Sequence, residues 1–255
     1  SIMKILTTFL RPTQGTATIG GCDVLKHPLQ VRKKIGYLPE NLPLYPHMEV
    51  GEYLNFVAQA RGLNSHQRQE RLQWVLDKTG LWPMLHRPIA QLSKGYGQRT
   101  ALAQALIHDP QVIILDEPTT GLDPHQILEI RSLIQELSAQ KTILFSTHIL
   151  QEVEAIAHRV VIINEGTIKA QGTMAELATQ AGVRPWIETE IKQPASDLTP
   201  ALTALPGIDE VQISGQDTQW TKARITALDP AACLEQVAAL CQTQGWPMRE
   251  LYLST

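Results

Sequence analysis

Continuous apolar runs alternate with stretches of helical apolar spacing along most of this chain. The runs Val112–Leu115 and Val160–Ile163 are apolar at every position, which indicates strands buried on both faces of a mainly parallel sheet. Helical spacing between such runs predicts an α/β fold. The predicted helices span about 1–10, 50–61, 65–80, 96–108, 124–139 and 149–158, and the predicted strands span about 34–39, 111–116, 141–147, 159–164 and 167–173.

A different order of elements begins near Met174. The pattern predicts a strand, a helix, two strands, a helix and a last strand, which is the β-α-β-β-α-β order of a ferredoxin-like α+β domain. We therefore expect two domains, 1–173 and 174–255, with a mostly helical insertion at about 41–108 in the first.

Composition narrows the possible partners. The 255 residues are 43% hydrophobic and 18% charged, with a net charge of −3, so the chain lacks the basic field that binds nucleic acid, and we expect no nucleic-acid partner. Its apolar runs fall short of the roughly 20 residues that cross a bilayer. Its three cysteines contain no CxxC pair, which argues against a disulfide framework or a zinc site.

Two adjacent acids end the most hydrophobic strand. Ligands of open α/β sheets bind beyond the carboxyl ends of the strands, where Asp116 and Glu117 are expected. One carboxylate there can hold Mg²⁺ against nucleotide phosphates, and its neighbour can polarise an attacking water. Ser93 and Gly95, at a predicted helix start, can receive a phosphate on unpaired amides. The alternative for Asp116 and Glu117 is that the strand simply ends in polar residues, without a catalytic role.

Five short motifs, in this order along the chain, resemble the nucleotide-binding domain of ATP-binding-cassette (ABC) proteins. YLPEN at 37–41 resembles the Q-loop, LSKGY at 92–96 the signature motif, VIILDEP at 112–118 the Walker B strand, TTGLD at 119–123 the D-loop and ILFSTH at 143–148 the H-loop. The resemblance covers about residues 1–172. It implies a P-loop NTPase-like α/β domain with a helical insertion.

The resemblance also implies the catalytic roles. Asp116 would orient the shell of a bound Mg²⁺, and Glu117 would be the general base for the water that attacks the γ-phosphate of ATP. His148 would hydrogen-bond that phosphate and hold the water. A histidine at a strand end, taken alone, is more often structural.

Further residues would bind the nucleotide across a dimer. Ser93 and Gly95 would touch the γ-phosphate of an ATP held mainly by a second copy, because this family sandwiches two ATP molecules between head-to-tail domains. Asp123 would lie at the dimer seam, and its position before Pro124 equally suits a helix cap.

Two positions depart from the commonest family pattern. Glu40 stands at the Q-loop glutamine, where a carboxylate can still ligate or water-bridge Mg²⁺. Lys94 stands inside the signature motif, either as a phosphate contact or as a solvated surface lysine. Both departures resemble a branch of exporter ATPases related to gliding-motility and drug-export subunits.

The phosphate-binding loop G-x-x-x-x-G-K-[ST] does not occur in these 255 residues. Family spacing places Ser1 just after the Mg²⁺-binding residue of that loop. We expect a truncated sequence, rather than a cassette that has lost hydrolysis, because Glu117 and His148 are in place. The chain as printed is then expected to bind ATP poorly and to be inactive by itself.

The implied function is that of the ATP-hydrolysing motor subunit of an ABC exporter, with ATP and Mg²⁺ as cofactors. Its partners would be a separate membrane permease and a second nucleotide-binding domain in a homodimer. It would lie in the cytoplasm on the inner face of the membrane, and domain 174–255 would be accessory or regulatory. A non-transport ABC ATPase of ribosomes or DNA, and a binding or dimerisation module without hydrolysis, are the alternatives.

Overall fold

A computed structural model describes residues 2–182, 185–217 and 219–254. The chain divides into two compact units, Ser1–Ala157 and His158–Thr255. Among the described residues, no helix has the length and apolar character needed to cross a membrane. The expected domain boundary between residues 173 and 174 remains a prediction.

The first unit begins with short elements. Helix α1 (Ile2–Leu6) is followed by the hairpin of β1 (Thr18–Ile19) and β2 (Cys22–Asp23) and by helix α2 (Pro28–Lys34). The first helix was expected to extend to about residue 10, but it ends at Leu6. Thr8 adopts a φ of 62°, a left-handed conformation that ends helical geometry. Helix α2 was not predicted, although its first residue is a proline, a residue favoured at the first helical position.

A parallel sheet forms the centre of the first unit. Among the described residues it contains β3 (Ile35–Leu38), β4 (Val112–Asp116) and β5 (Thr142–Ser146), in the order β3-β4-β5. The central strand β4 pairs with both neighbours. Its residues Ile113, Ile114 and Leu115 are at most 1% exposed, as the uninterrupted apolar run predicts for a strand covered on both faces.

Helices complete the first unit. They are α3 (Val50–Ala60), α4 (Ser65–Thr79), α5 (Lys94–Leu106), α6 (Pro124–Ser138) and α7 (Leu150–Ile156), with short 3-10 turns at Trp82–Met84 and Ile89–Gln91. Helix α5 starts two residues earlier than predicted because Ser93 caps it, accepting a hydrogen bond from the backbone N–H of Tyr96. Residues of these helices and of the sheet share one apolar core.

The second unit contains a hairpin, a helix and a four-stranded sheet. Its elements are β6 (Val160–Asn164), β7 (Thr167–Gly172), α8 (Met174–Gln180), β8 (Trp186–Ile191), α9 (Ala195–Thr203), β9 (Ile208–Gln216), β10 (Thr221–Ala227), α10 (Pro230–Gln244) and β11 (Met248–Ser254). The strands order as β11-β8-β10-β9, every neighbour antiparallel. Numbered along the domain this is 4-1-3-2, which agrees with the predicted ferredoxin-like arrangement. The expectation that Val160–Ile163 is a strand buried on both faces of the parallel sheet is wrong, because this run lies in the antiparallel hairpin and its residues Val161, Ile162 and Ile163 are 51%, 46% and 49% exposed.

Candidate functional site

The ends of two parallel strands bring the first site residues together. Asp116 of β4 and Ser146 of β5 are in register. The Ser146 hydroxyl donates to Asp116 Oδ1 at 2.6 Å and accepts a hydrogen bond from the backbone N–H of Glu117 at 3.1 Å. One serine therefore fixes both acids relative to the neighbouring strand. The serine was not predicted as a site residue, although it lies within the H-loop motif.

The chain turns sharply at the second acid. Glu117 adopts a φ of 52°, a conformation that costs a non-glycine residue on the order of 1 kcal/mol and that is concentrated at functional sites. The Thr120 hydroxyl donates to Glu117 Oε2 at 3.1 Å, and the Thr120 N–H donates to the Glu117 carbonyl at 3.3 Å. This turn fixes the direction of the Glu117 carboxylate.

His148 lies against that carboxylate. Its Nδ1 is 2.9 Å from Glu117 Oε2, and the two side chains are 72% and 21% exposed. The hydrogen bond to Glu117, followed by the negative charge of Glu117, raises the pKa of His148 above its ordinary value. Nδ1 thus donates to the acid, while the second ring nitrogen is available to a ligand.

The start of helix α5 packs against the turn that follows Glu117. A Cβ added to Gly95 would lie 2.5 Å from the side-chain atoms of Gln126, and Lys94 Nζ occupies the space next to Gly121, whose φ is 75°. The buried amide of Gln98 donates to the Pro118 carbonyl at 2.8 Å. The signature motif and the D-loop of one chain therefore form a single packed surface.

The other predicted residues lie apart from the acid pair. Ser93 is exposed and caps α5, and Asp123 is exposed and caps α6 by accepting from the Gln126 N–H at 2.9 Å. Within the described residues neither makes a hydrogen bond to Asp116 or Glu117. Ser1 lies outside the described residues. The roles of all these residues in nucleotide binding remain predictions.

The predicted Mg²⁺ ligands are Asp116 and Glu40. Glu40 is exposed and follows β3 by two residues, so both carboxylates come at the carboxyl ends of neighbouring parallel strands. Within the described ranges no group of three or more His, Cys, Asp or Glu residues is placed to hold a metal. Mg²⁺ in nucleotide sites takes one or two carboxylates together with phosphates and waters, so this donor set fits the ion.

Comparison with known protein families gives a consistent result. The family model described as ABC transporter matches residues 1–120. The ABC transporter ATP-binding protein NatA of Bacillus subtilis (strain 168) is 37% identical over 179 residues, which are 69% of this chain and 73% of that protein. Against two further bacterial ABC transporter ATP-binding proteins, the chain spans 59% and 50% of the relative's length.

Solved structures show the same likeness. A structure described as the ATP binding subunit of an ABC transporter superposes with a TM-score of 0.66 at 32% identity, covering 71% of this chain and 76% of that one. The cbiO1 protein of Clostridium perfringens, described as part of the ABC transporter complex cbiONQ, gives 0.63 at 28% identity, covering 71% and 75%. The expected cassette fold is thereby confirmed.

Proposed function

Because the chain belongs to the family of ABC transporter ATP-binding proteins, we propose that it is the ATP-hydrolysing motor subunit of an ABC exporter. The observation that carries the proposal is the convergence of Asp116, Glu117 and His148 at the ends of β4 and β5, linked through Ser146. It supplies a carboxylate for a metal, a second carboxylate for a water and an imidazole within one hydrogen-bonded group.

Each side chain has a distinct chemical task in this proposal. Glu117 accepts a proton from the water that attacks the γ-phosphate, and its carboxylate is aimed by Thr120 and His148. His148 donates a hydrogen bond from Nδ1 to Glu117 and contacts the phosphate through its other ring nitrogen. Asp116 and Glu40 would hold Mg²⁺. When bound, that ion neutralises charge on the phosphate oxygens.

A second copy of the chain would complete the nucleotide site. Ser93 and Lys94 are exposed at the start of α5, and Asp123 is exposed at the start of α6, so all three are open to a head-to-tail partner. The amino end of α5 would meet the γ-phosphate bound by the other copy, since helix amino ends favour anions. Hydrolysis would then open a closed dimer and drive a conformational cycle.

The membrane permease would dock on the segment that follows the Q-loop. Tyr45 and Phe56 are 51% and 45% exposed, and the Tyr45 ring lies 5.6 Å from that of Tyr53 and 5.8 Å from that of Phe56. An aromatic cluster with two exposed rings, those of Tyr45 and Phe56, suits a short amphipathic helix of a partner. Through that contact the chain would lie on the inner face of the cell membrane, with residues 174–255 as an accessory or regulatory domain.

The test compares Glu117→Gln with the wild type in a polypeptide in which a G-x-x-x-x-G-K-S loop precedes this chain. We expect the variant to retain Mg²⁺-dependent ATP binding by calorimetry and to lose phosphate release by about 100-fold or more, because a general base contributes that much. Glu154→Gln, at an exposed position of α7, is the matched control.

Two results would contradict the proposal. Near-normal phosphate release by Glu117→Gln would exclude the general-base role. Absence of ATP hydrolysis by the wild-type polypeptide, despite tight nucleotide binding, would exclude the motor function and favour a binding module.

A further inference from the structure

A buried carboxylate lies behind the Glu117–His148 pair. Glu152, in the first turn of α7, is 1% exposed. Its Oε1 accepts a hydrogen bond from Thr119 Oγ1 at 2.5 Å, and its Oε2 accepts one from Thr147 Oγ1 at 2.7 Å. Arg131 of α6 approaches Oε1 to 4.0 Å. One side chain thus connects three separate parts of the first unit.

The two threonines belong to the segments that carry the site. Thr119 lies two residues after Glu117 in the turn beyond β4, and Thr147 lies directly before His148 beyond β5. Thr147 Oγ1 also accepts the backbone N–H of Ile149 at 3.1 Å, so its own proton is directed to Glu152. Both segments are therefore fixed to the same carboxylate by donors of defined direction.

A contribution to stability alone does not explain why the Glu152 carboxylate is buried here. A buried carboxylate loses its hydration, and apolar residues of similar volume often stabilise a core equally well. Its cationic neighbour is 4.0 Å away, and the Nε of Arg131 is buried without a hydrogen-bond partner within the described residues. A buried ionic group with imperfect pairing fits a role in fixing the geometry of the two segments.

We propose that Glu152 is a positioning residue that holds the turn after Glu117 and the loop of His148 at the separation where His148 Nδ1 meets Glu117 Oε2. The effect on ATP hydrolysis rests on the proposed function, whereas the geometric claim stands on the hydrogen bonds alone. When Glu152 loses either threonine, the two segments move independently, and the Glu117–His148 contact weakens.

The test titrates His148 by NMR of its ring signals in the 255-residue chain. Two charged groups raise the pKa of His148, chiefly Glu117 and to a lesser extent Glu152. Removing the Glu152 charge would lower the pKa of His148 even without any movement. The decisive variants therefore keep that charge and remove one hydroxyl each: Thr119→Val and Thr147→Val.

We expect both valine variants to lower the pKa of His148 toward its ordinary value of about 6.5. Glu117→Gln provides the reference for complete loss of the contact. Thr119→Ser and Thr147→Ser keep the hydroxyl and should leave the pKa of His148 as it is in the wild type. In a Glu152→Met background, where neither threonine keeps its acceptor, adding Thr119→Val should have no further effect, and Glu154→Gln alone should have none.

An unchanged pKa of His148 in both valine variants would overturn the positioning role. A lower pKa of His148 in Glu152→Gln that neither valine variant reproduces would also overturn the positioning role, since it would reflect the Glu152 charge alone. The valine changes are nearly isosteric, so the variants remain foldable, and circular dichroism verifies this. The titration needs no nucleotide, so its outcome is independent of whether the chain hydrolyses ATP.

Discussion

Single residues in this chain have environments that their sequence neighbours do not reveal. His108 is the clearest case outside the site. Its Nε2 lies 2.9 Å from the Ile35 carbonyl, and its Nδ1 is buried without a hydrogen-bond partner within the described part of the chain. Burial, reinforced by the positive charge of Arg61, lowers the pKa of His108 to about 4. The histidine is therefore neutral in the folded protein at neutral pH.

This lowered pKa makes stability depend on pH. Protonation favours the unfolded chain, whose histidine has a pKa near 6.5, so the contribution of His108 is intact above about pH 6.5 and is lost as the pH falls toward 4. We expect His108→Gln, which retains an amide donor for the Ile35 carbonyl, to reduce the loss of unfolding free energy between about pH 7 and about pH 4.5 by on the order of 2 kcal/mol.

Urea unfolding followed at both pH values measures this difference. His66→Gln is the control, because the His66 side chain is 90% exposed. Equal acid sensitivity of the wild type and His108→Gln would show that other groups cause the loss of stability.

At the scale of the element, helix α6 begins at a residue with two predicted roles. Asp123 caps the helix through the Gln126 N–H, and Pro124 occupies the first helical position. The same aspartate is predicted to lie at the dimer seam. The cap and the seam are compatible, because a capping carboxylate uses one oxygen and remains exposed.

The two roles respond differently to substitution. Asp123→Ala should lower the free energy of unfolding by about 1 kcal/mol through loss of the cap, and Asp123→Ser should restore most of it because serine caps equally well. Urea unfolding of the chain measures this effect. If the alanine variant is as stable as the wild type, the hydrogen bond to Gln126 contributes nothing and Asp123 serves another purpose.

At the scale of the whole molecule, the two units have separate apolar cores without a shared residue. In the first unit one cluster combines helices α3–α6 with the parallel sheet, and a smaller cluster includes Val31, Ile35 and Ile114. The second core, that of the second unit, lies between the four-stranded sheet and helices α9 and α10. The second core includes Ile187, Ile191, Leu198 and Ile225, each 0% exposed. Separate cores are the usual basis of independently folding domains.

A polypeptide of residues 174–255 should therefore fold alone and unfold cooperatively in urea. Ile225→Ala should destabilise it by about 2–4 kcal/mol because it leaves a cavity in this core, while Leu228→Ala, at a side chain that is 78% exposed, should change little. A gradual, non-cooperative unfolding curve would show that this segment depends on the rest of the chain and would contradict the predicted boundary.

The sequence by itself determined the order of most of the strands and helices, because apolar periodicity reports which face of each element is buried. It also located Asp116 and Glu117 as candidates, since two acids directly follow an apolar strand, whereas His148 became a candidate through the resemblance of its motif to the H-loop of ABC proteins. Helix α2 was missed because it is short and polar, with one buried residue, Val31.

Only the tertiary structure decided which polar groups meet. Glu152 and His108 look like ordinary polar residues, yet one joins Thr119 to Thr147 and the other binds the Ile35 carbonyl 73 positions away. The packing of Lys94 beside Gly121 belongs to the same class. Periodicity records burial along one element, whereas a hydrogen bond between distant segments depends on how the sheet and its helices come together in space.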